Sequence, residues 1–325
     1  MPTPNCCKNL IQLREKPCIF NILAFTGGFP WQSQAPIHTN SFFRIFSLAM
    51  NHLPFPIKPF HNMLRQSLIG FGIGIVSSIA QAEPDKPIAA GRPDFVDSSD
   101  VVGQGRVQIE TSFMIEHDRE AGLRKRTTTT PTLLRLGTSQ DWELRLQTDG
   151  RTISRSDDAA NGQRTKVRGY SDLSLGAKWH MHDAVGNSPA LAWILDADID
   201  TGSPAFRGNG VRPSLRVAAE WDLSKDYSLG IMPGVTYDKN TDGKRFAAAI
   251  FGVVLSKSWT EKLRAFVEVA APQIAHARDG GSIVTYDVGA AYLLSNDIQL
   301  DFIFQKSANR NTPDRALGIG FSSRF

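Results

Sequence analysis

The sequence predicts an all-β fold: a closed, up-and-down antiparallel transmembrane β-barrel of about twelve strands, preceded by a signal peptide. Three observations predict it. From Gly105 onward, apolar and polar residues alternate with a period of two, the signature of strands with unlike faces. Short, similar turns alternate along the chain with longer polar connections. The chain ends on an alternating segment closed by Phe325.

Met63 to Ala82 reads MLRQSLIGFGIGIVSSIAQA. Arg65 supplies the positive end, Ser67 to Ala80 is uncharged and apolar, and Ala80-Gln81-Ala82 is an A-x-A cleavage site. These are the parts of a secretory signal in order. The run falls short of the roughly 20 residues a spanning helix needs. A secretory signal works at an N-terminus, so residues 1–62 are expected to be a non-native, disordered extension, with the natural start at Met63 or Met50. They hold all three cysteines, Cys6, Cys7 and Cys18. Removing residues 1–82 takes away six of the 36 Lys+Arg and one of the 32 acids, leaving 30 bases against 31 acids. The basic pI belongs to the leader and points to no nucleic-acid partner. The remainder has no cysteine, hence no disulfide framework and no thiolate chemistry.

Residues 83–104, with Pro84, Pro87, Pro93 and several aspartates, are expected to be a periplasmic lead-in or a partial plug, and residues 105–325 the barrel. The strand pattern is clear in Val107–Ile115, Trp142–Thr148, Leu173–Trp179, Val211–Trp221 and Ile298–Phe304. It is weaker in 127–137, 245–257 and 282–294. In 245–257 both parities are apolar and the register stays open. The short connections are TSQDWELRL (138–146), LSKDYSLGI (223–231) and LSNDIQLDF (294–302), with SKSWTEKLRA (256–265) a looser version. Ser and Asp form such turns by bonding nearby backbone amides. The longer set is HDREAGLRKR, GRTISRSDDAANGQRTKVRG, GSPAFRGNG, KNTDGK, PQIAHARDGGS and SANRNTPDR. Short periplasmic turns on one rim and long outer loops on the other are the habit of outer-membrane barrels.

Trp142, Trp179, Trp221, Tyr227, Trp259 and Phe325 all fall at or beside the short-turn rim, as an interfacial aromatic girdle requires. RALGIGFSSRF, with its terminal Phe325, looks like an outer-membrane assembly signal, so the barrel-assembly machinery is an expected partner. In AWILDADIDTG (192–202), Asp196, Asp198 and Asp200 alternate with Trp193, Leu195, Ala197 and Ile199. A lipid-facing carboxylate is costly and a wet lumen removes that cost. The three aspartates are therefore expected to face the lumen, neutralised by Arg212 and Arg216 of the next strand. Glu143, Arg145, Lys178, Arg264 and Glu268 are expected to extend that ladder of acids and bases.

Other chemistries fit less well. DADIDTG fails as an EF-hand, since Thr201 stands where the loop needs Gly and Arg207 where it needs Glu. His180 and His182 share a face but have no third ligand nearby, so neither a metal nor a cofactor is expected. A membrane hydrolase needs a hydroxyl nucleophile beside a base. His117, His180, His182 and His276 are the histidines after residue 82, and no GxSxG is present. Arg124–Arg126 and Arg151, Arg155, Arg164, Lys166 and Arg168 form two basic clusters in the expected outer loops, where they are expected to be solvated, to meet lipopolysaccharide phosphates or to steer anionic solutes.

PDFVDSSDVVGQGRVQIETSF (Pro93–Phe113), TTPTLLRLGTSQDWELRLQTDG and YSDLSLGAKWH resemble the phenol meta-pathway (MetA) degradation family, whose members are also called transporters and taken to be outer-membrane barrels. The resemblance covers about residues 91–325. It implies passage of aromatic or other hydrophobic compounds and carries over no functional residues. The expected function is passive diffusion of small solutes through an outer-membrane channel, without catalysis. The alternatives are an outer-membrane lipid-modifying enzyme and a structural barrel with no open pore. The expected fold has a simple check: the membrane fraction run unboiled on a denaturing gel shows a band that shifts on heating, and identical migration with and without boiling contradicts a barrel.

Overall fold

The computed structural model describes residues 86–325 apart from 121, 161 and 241. The expectations for residues 1–62 and for the signal peptide with its cleavage site at Ala80 and Ala82 lie outside the described residues. Fifteen strand segments make up one sheet: β1 (Val107–Glu120), β2 (Leu123–Thr129), β3 (Thr132–Gly137), β4 (Trp142–Thr148), β5 (Arg151–Asp158), β6 (Arg164–Tyr170), β7 (Leu173–His182), β8 (Ala190–Ile199), β9 (Arg212–Asp222), β10 (Tyr227–Lys239), β11 (Arg245–Ser258), β12 (Leu263–Ile274), β13 (Ile283–Ser295), β14 (Ile298–Ser307) and β15 (Arg315–Arg324). Three pairs, β2 with β3, β4 with β5, and β6 with β7, are halves of single strands separated by two residues. The wall therefore has twelve strands. β15 pairs with β1 from Gln108↔Arg324 to His117↔Arg315, which closes the sheet. Closure leaves the barrel no free edge, and every strand in hydrocarbon then has its backbone groups paired.

The alternation decides what faces out. Ile109, Phe113, Leu144, Leu175, Leu195, Leu215, Phe251, Val267, Leu300, Phe302 and Ile319 are exposed on the outer face. The opposite parity places Gln108, Glu110, Arg135, Glu143, Arg145, Lys178, Asp196, Glu268, Asp287 and Asp301 in buried positions. A surface that is greasy outside and polar inside is a membrane-spanning barrel of the outer-membrane type. Among the described residues no helix is long and apolar enough to cross a membrane. The strands do the crossing.

Connections sort as expected by rim, with one correction. Turns 138–141, 183–189, 223–226, 259–262 and 296–297 share a rim with the start of β1 and with Phe325, whose N–H donates to Val107 O at 2.7 Å. At this rim Trp142 stacks on Trp179 with centroids 5.6 Å apart. Lys257 lies over the rings of Tyr227 and Trp259, and Trp221 Nε1 donates to Asn187 O at 3.2 Å. On the far rim, HDREAGLRKR and most of GRTISRSDDAANGQRTKVRG are not loops. They are the end of β1, with β2, β5 and β6, paired as an extension of the wall in the order β1-β2-β5-β6. The two basic clusters thus lie on strands. Above the hydrocarbon both faces are wet, so these segments lack the apolar stripe that marks a strand in sequence.

The three interruptions lie side by side and form a bend line below that extension. Thr130 N–H donates to Asp149 O at 3.1 Å, Ser171 N–H to Gly150 O at 2.9 Å, and Arg151 N–H to Thr130 Oγ1 at 3.0 Å. Gly150 sits at φ 66°, and a Cβ there would meet Thr130 O at 2.3 Å. Only glycine serves, because the backbone is left-handed and a neighbouring carbonyl fills the side-chain space.

The open register of 245–257 is now explained. Ala248, Ile250, Gly252, Val254 and Ser256 face in, while Ala249, Phe251, Val253 and Leu255 face out. A Cβ on Gly252 would meet Val96 at 2.7 Å and Phe95 at 3.0 Å. The inner parity is apolar because it packs on residues 95 and 96, which lie inside the barrel.

Leu195, outward and near the middle of β8, tests the membrane assignment. Leu195→Arg is expected to cost about 2–4 kcal/mol, the cost of an arginine at the bilayer midplane, read from reversible denaturant unfolding in lipid vesicles. A neutral effect contradicts a lipid-facing position.

Candidate functional site

Residues 86–104 have no helix or strand, yet Ile88, Val96, Asp97, Ser99 and Val102 are buried. This strap runs through the lumen. An irregular backbone there has donors and acceptors that no strand satisfies, and buried backbone groups need partners. The wall supplies them through side chains. Glu268 accepts from Phe95 N–H at 2.9 Å and Val96 N–H at 2.8 Å. Glu220 accepts from the Ser99 N–H and hydroxyl at 2.5 and 2.6 Å, and Glu143 accepts from Val102 N–H at 3.0 Å. Arg135 donates to Ala89 O at 2.6 Å and Asp100 O at 2.9 Å. Lys178 Nζ donates to Ser98 O at 2.8 Å and Asp100 O at 3.1 Å.

The strap's own carboxylates complete the network. Arg145 reaches Asp97 at 3.0 Å, Arg216 at 2.9 Å and Lys178 at 3.9 Å. Burial works to raise the Asp97 carboxyl, but the cations of Arg145, Lys178, Arg216 and Arg135 outweigh it and hold Asp97 well below the ordinary carboxylate range. Asp94 takes both terminal nitrogens of Arg264 at 2.9 and 3.0 Å, a fork-to-fork pair. Within the wall, Arg135 bridges Glu110 at 3.0 Å and Glu143 at 2.9 Å, and Arg216 pairs with Asp196. Around Asp94 and Asp97 these deep charges persist because each is met by an opposite charge, while Glu268 is met by backbone N–H groups.

Nine of the ten sequence-derived lumen positions fall on the inner face: Glu143, Arg145, Lys178, Asp196, Asp198, Arg212, Arg216, Arg264 and Glu268. They separate into two groups. Glu143, Arg145, Lys178, Asp196 and Arg216 gather around Asp97, and Arg264 and Glu268 hold Asp94, Phe95 and Val96. Arg212 lies nearer the long-loop rim, 2.7 Å from Asp172, 3.4 Å from Asp198 and 3.7 Å from Asp238. Asp172 also accepts from Gly202 and Gly208 N–H at 2.8 Å each, tying the β8–β9 loop to the wall. Asp200 departs from the expectation: β8 stops at Ile199, and Asp200 is exposed in the loop beyond it. Sequence reasoning missed Asp94, Asp97 and Asp172, which lie in segments without period, and Glu220, Glu110 and Arg135, which strand parity alone places inside. His180 Nδ1 lies 3.0 Å from Ser99 O and His182 Nδ1 3.1 Å from Asp183 O.

Beside this charged belt the lumen is apolar. Val96 packs with Ile194, Ala218, Met232, Val254, Phe266 and Ile303, and Phe95 and Met114 flank them. Between the strap and β9–β12, toward the short-turn rim, lies a cavity of about 160 Å³ whose lining includes Ile88, Asp94, Val96, Val254, Arg264 and Gln299.

The family model described as "Putative MetA-pathway of phenol degradation" matches residues 90–325. The chain belongs to that family. This MetA-pathway family member has no match among curated protein sequences. Among solved structures it is similar to an outer membrane channel from Pseudomonas putida F1, at 13% identity and TM-score 0.51, covering 72% of this chain and 99% of that one. That likeness shows the shared fold. NanC porin aligns at 10% identity and TM-score 0.43 over 67% of this chain and 98% of its own. The Ralstonia pickettii toluene transporter TbuX aligns at 8% and 0.39 over 69% and 90%.

The family member's strap depends on Asp97. Asp97→Ala leaves Arg145 and Arg216 without a strap partner, and breaking a buried pair costs about 3–5 kcal/mol. Hydrogen exchange at the Phe95 and Val96 amides is expected to accelerate while exchange in β10 and β11 does not. Because a depressed carboxyl stabilises above its ordinary pKa, the contribution of Asp97 is fully present at neutral pH and is lost only as pH falls below the ordinary carboxylate range.

Proposed function

We propose that this chain is an outer-membrane channel through which small solutes, aromatic compounds foremost, diffuse down their gradient, and that residues 86–104 act as a partial plug that sets its resistance. The observation that carries this reading is how the strap is held. Among the described residues, a single backbone–backbone hydrogen bond, from Ile88 N–H to Asn296 O at 2.7 Å, joins the strap before Gly103 to the wall. All its other polar ties to the wall are to side chains. The strap can shift without opening any strand pair, so the barrel keeps its integrity while its bore changes.

The chemistry of the bore favours amphipathic solutes. The cavity of about 160 Å³ is close in size to engineered apolar cavities of about 150 Å³ that hold benzene. Here Ile88, Val96 and Val254 offer an apolar wall, and Asp94, Arg264 and Gln299 offer partners to a hydroxyl or carboxylate. The family's description, which names phenol degradation, points to the same class. The belt of Asp97, Arg145, Lys178, Asp196 and Arg216 would be the charged constriction. No energy-coupling element is needed for movement down a gradient. Phe325, exposed at the short-turn rim, is the group we assign to recognition by the barrel-assembly machinery.

A structural barrel without a pore is the second reading, favoured by the same strap because it fills the lumen. Reconstitution separates the two. In planar bilayers the wild type is expected to conduct weakly, and Asp94→Ala/Asp97→Ala to conduct more, with liposome uptake of benzoate rising in parallel. Wild-type and variant barrels that both fold and both fail to conduct support the structural reading.

A further inference from the structure

The strand extension on the long-loop rim carries its own pattern of charge. Cross-strand partners share a face of a sheet. The pairings Lys306↔Arg315, Arg315↔His117, His117↔Arg126, Arg126↔Arg155 and Arg155↔Lys166 therefore align six residues in one row across β14, β15, β1, β2, β5 and β6. The row shares parity with Phe304, Leu317, Ile115 and Phe113, so it lies on the outer surface, one step beyond the last apolar residues of β14, β15 and β1. A second row above it reads Arg119, Arg124, Asp157 and Arg164, and Arg168 sits below, opposite Ile153.

Lys306 Nζ donates to Asp314 O at 3.0 Å, but most of these cations have no carboxylate to meet. Arg126, Arg155, Lys166, Arg168 and Arg315 are exposed, and among the described residues none is within ion-pair distance of a carboxylate. Asp157, the acid on this face, is taken by Arg164 at 3.4 Å. Like charges directly opposite on a sheet destabilise it. Here they stand opposite one another on β14 and β15 and again across β2, β5 and β6, with His117 of β1 between the two groups, at the height where the hydrocarbon ends and headgroups begin. The wall's lumen arginines in the same molecule, by contrast, are paired with carboxylates. Phosphate groups would offset the repulsion, and arginines bind them through paired donors.

We propose that this row is a docking face for the phosphate groups of lipopolysaccharide in the outer leaflet. The bent extension of β2, β5 and β6 serves as a platform that holds the cations at headgroup level. The proposal rests on the orientation of the barrel with its long-loop rim outward and is independent of whether the lumen conducts.

The test uses the purified full barrel in detergent, titrated with bisphosphorylated lipid A and with the same lipid after enzymatic removal of its phosphates, with binding read by native mass spectrometry. The phosphorylated lipid is expected to bind more tightly. Arg126→Gln/Arg155→Gln/Lys166→Gln is expected to lose roughly a hundredfold in affinity, at about a charge-interaction each for three surface cations, with heat-modifiable migration and conductance unchanged. A matched triple on the short-turn rim, Lys225→Gln/Lys257→Gln/Lys262→Gln, is expected to bind as the wild type does. Equal binding of the two lipids by the wild type overturns the proposal without any variant having to fold. So does an equal loss in the two triples.

Discussion

A stretch of irregular backbone inside a closed barrel has nowhere to put its hydrogen bonds except into the wall's side chains. That constraint organises the interior. Glu268 and Glu220 are acidic because they face strap N–H groups, and Arg135 and Lys178 are basic because they face strap carbonyls. Once those charges are buried they must be neutralised, which is why Glu110 and Glu143 flank Arg135 and why Asp97 sits among Arg145, Lys178 and Arg216. The ladder is thus a lock shaped to one segment. It differs from a generic charged lining in that most of its members contact residues 86–104 or a partner that does.

The same constraint explains what could be read in the sequence and what could not. Where a strand faces lipid on one side and polar lumen on the other, alternation is strong, and Trp142–Thr148 or Leu173–Trp179 announce themselves. The alternation also gave the lumen parity of Asp196 and Asp198. It failed at β11, because the inner face there packs on Phe95 and Val96 and so is as apolar as the outer one. It failed again at β2, β5 and β6, which rise past the hydrocarbon and are wet on both faces. Asp200 kept the parity of its neighbours but lay past the end of its strand. Asp97, the centre of the lock, had no periodic neighbours to assign it a face. Periodicity reports a difference between two environments, and it is silent where the two are alike or where no strand exists.

The bend line ties these tiers together. Gly150, Thr130 and the Ser171–Asp172 step let three adjacent strands change direction in concert. Asp172, released from the ladder by that step, becomes the anchor for Arg212 and for the amides of Gly202 and Gly208. A local break in strand pairing thereby fixes the β8–β9 loop against the wall through Asp172, and the same loop bonds the end of β6 through Ser203 and Tyr170.

Charge is therefore used in two opposite ways within one sheet. Inside, around the strap, the arginines arrive with matching carboxylates, because an unmatched ion in a low-dielectric lumen costs several kcal/mol. Outside and one step above the apolar band, arginines and lysines stand in a row with hardly an acid among them. Water and salt screen such a row enough for the strands to fold, but folding alone gives no reason to align it across successive strands. A surface that must meet anionic headgroups does. The two charge patterns differ in whether the counter-charge belongs to the chain itself or to what surrounds it, and the boundary between them falls where the strands leave the hydrocarbon.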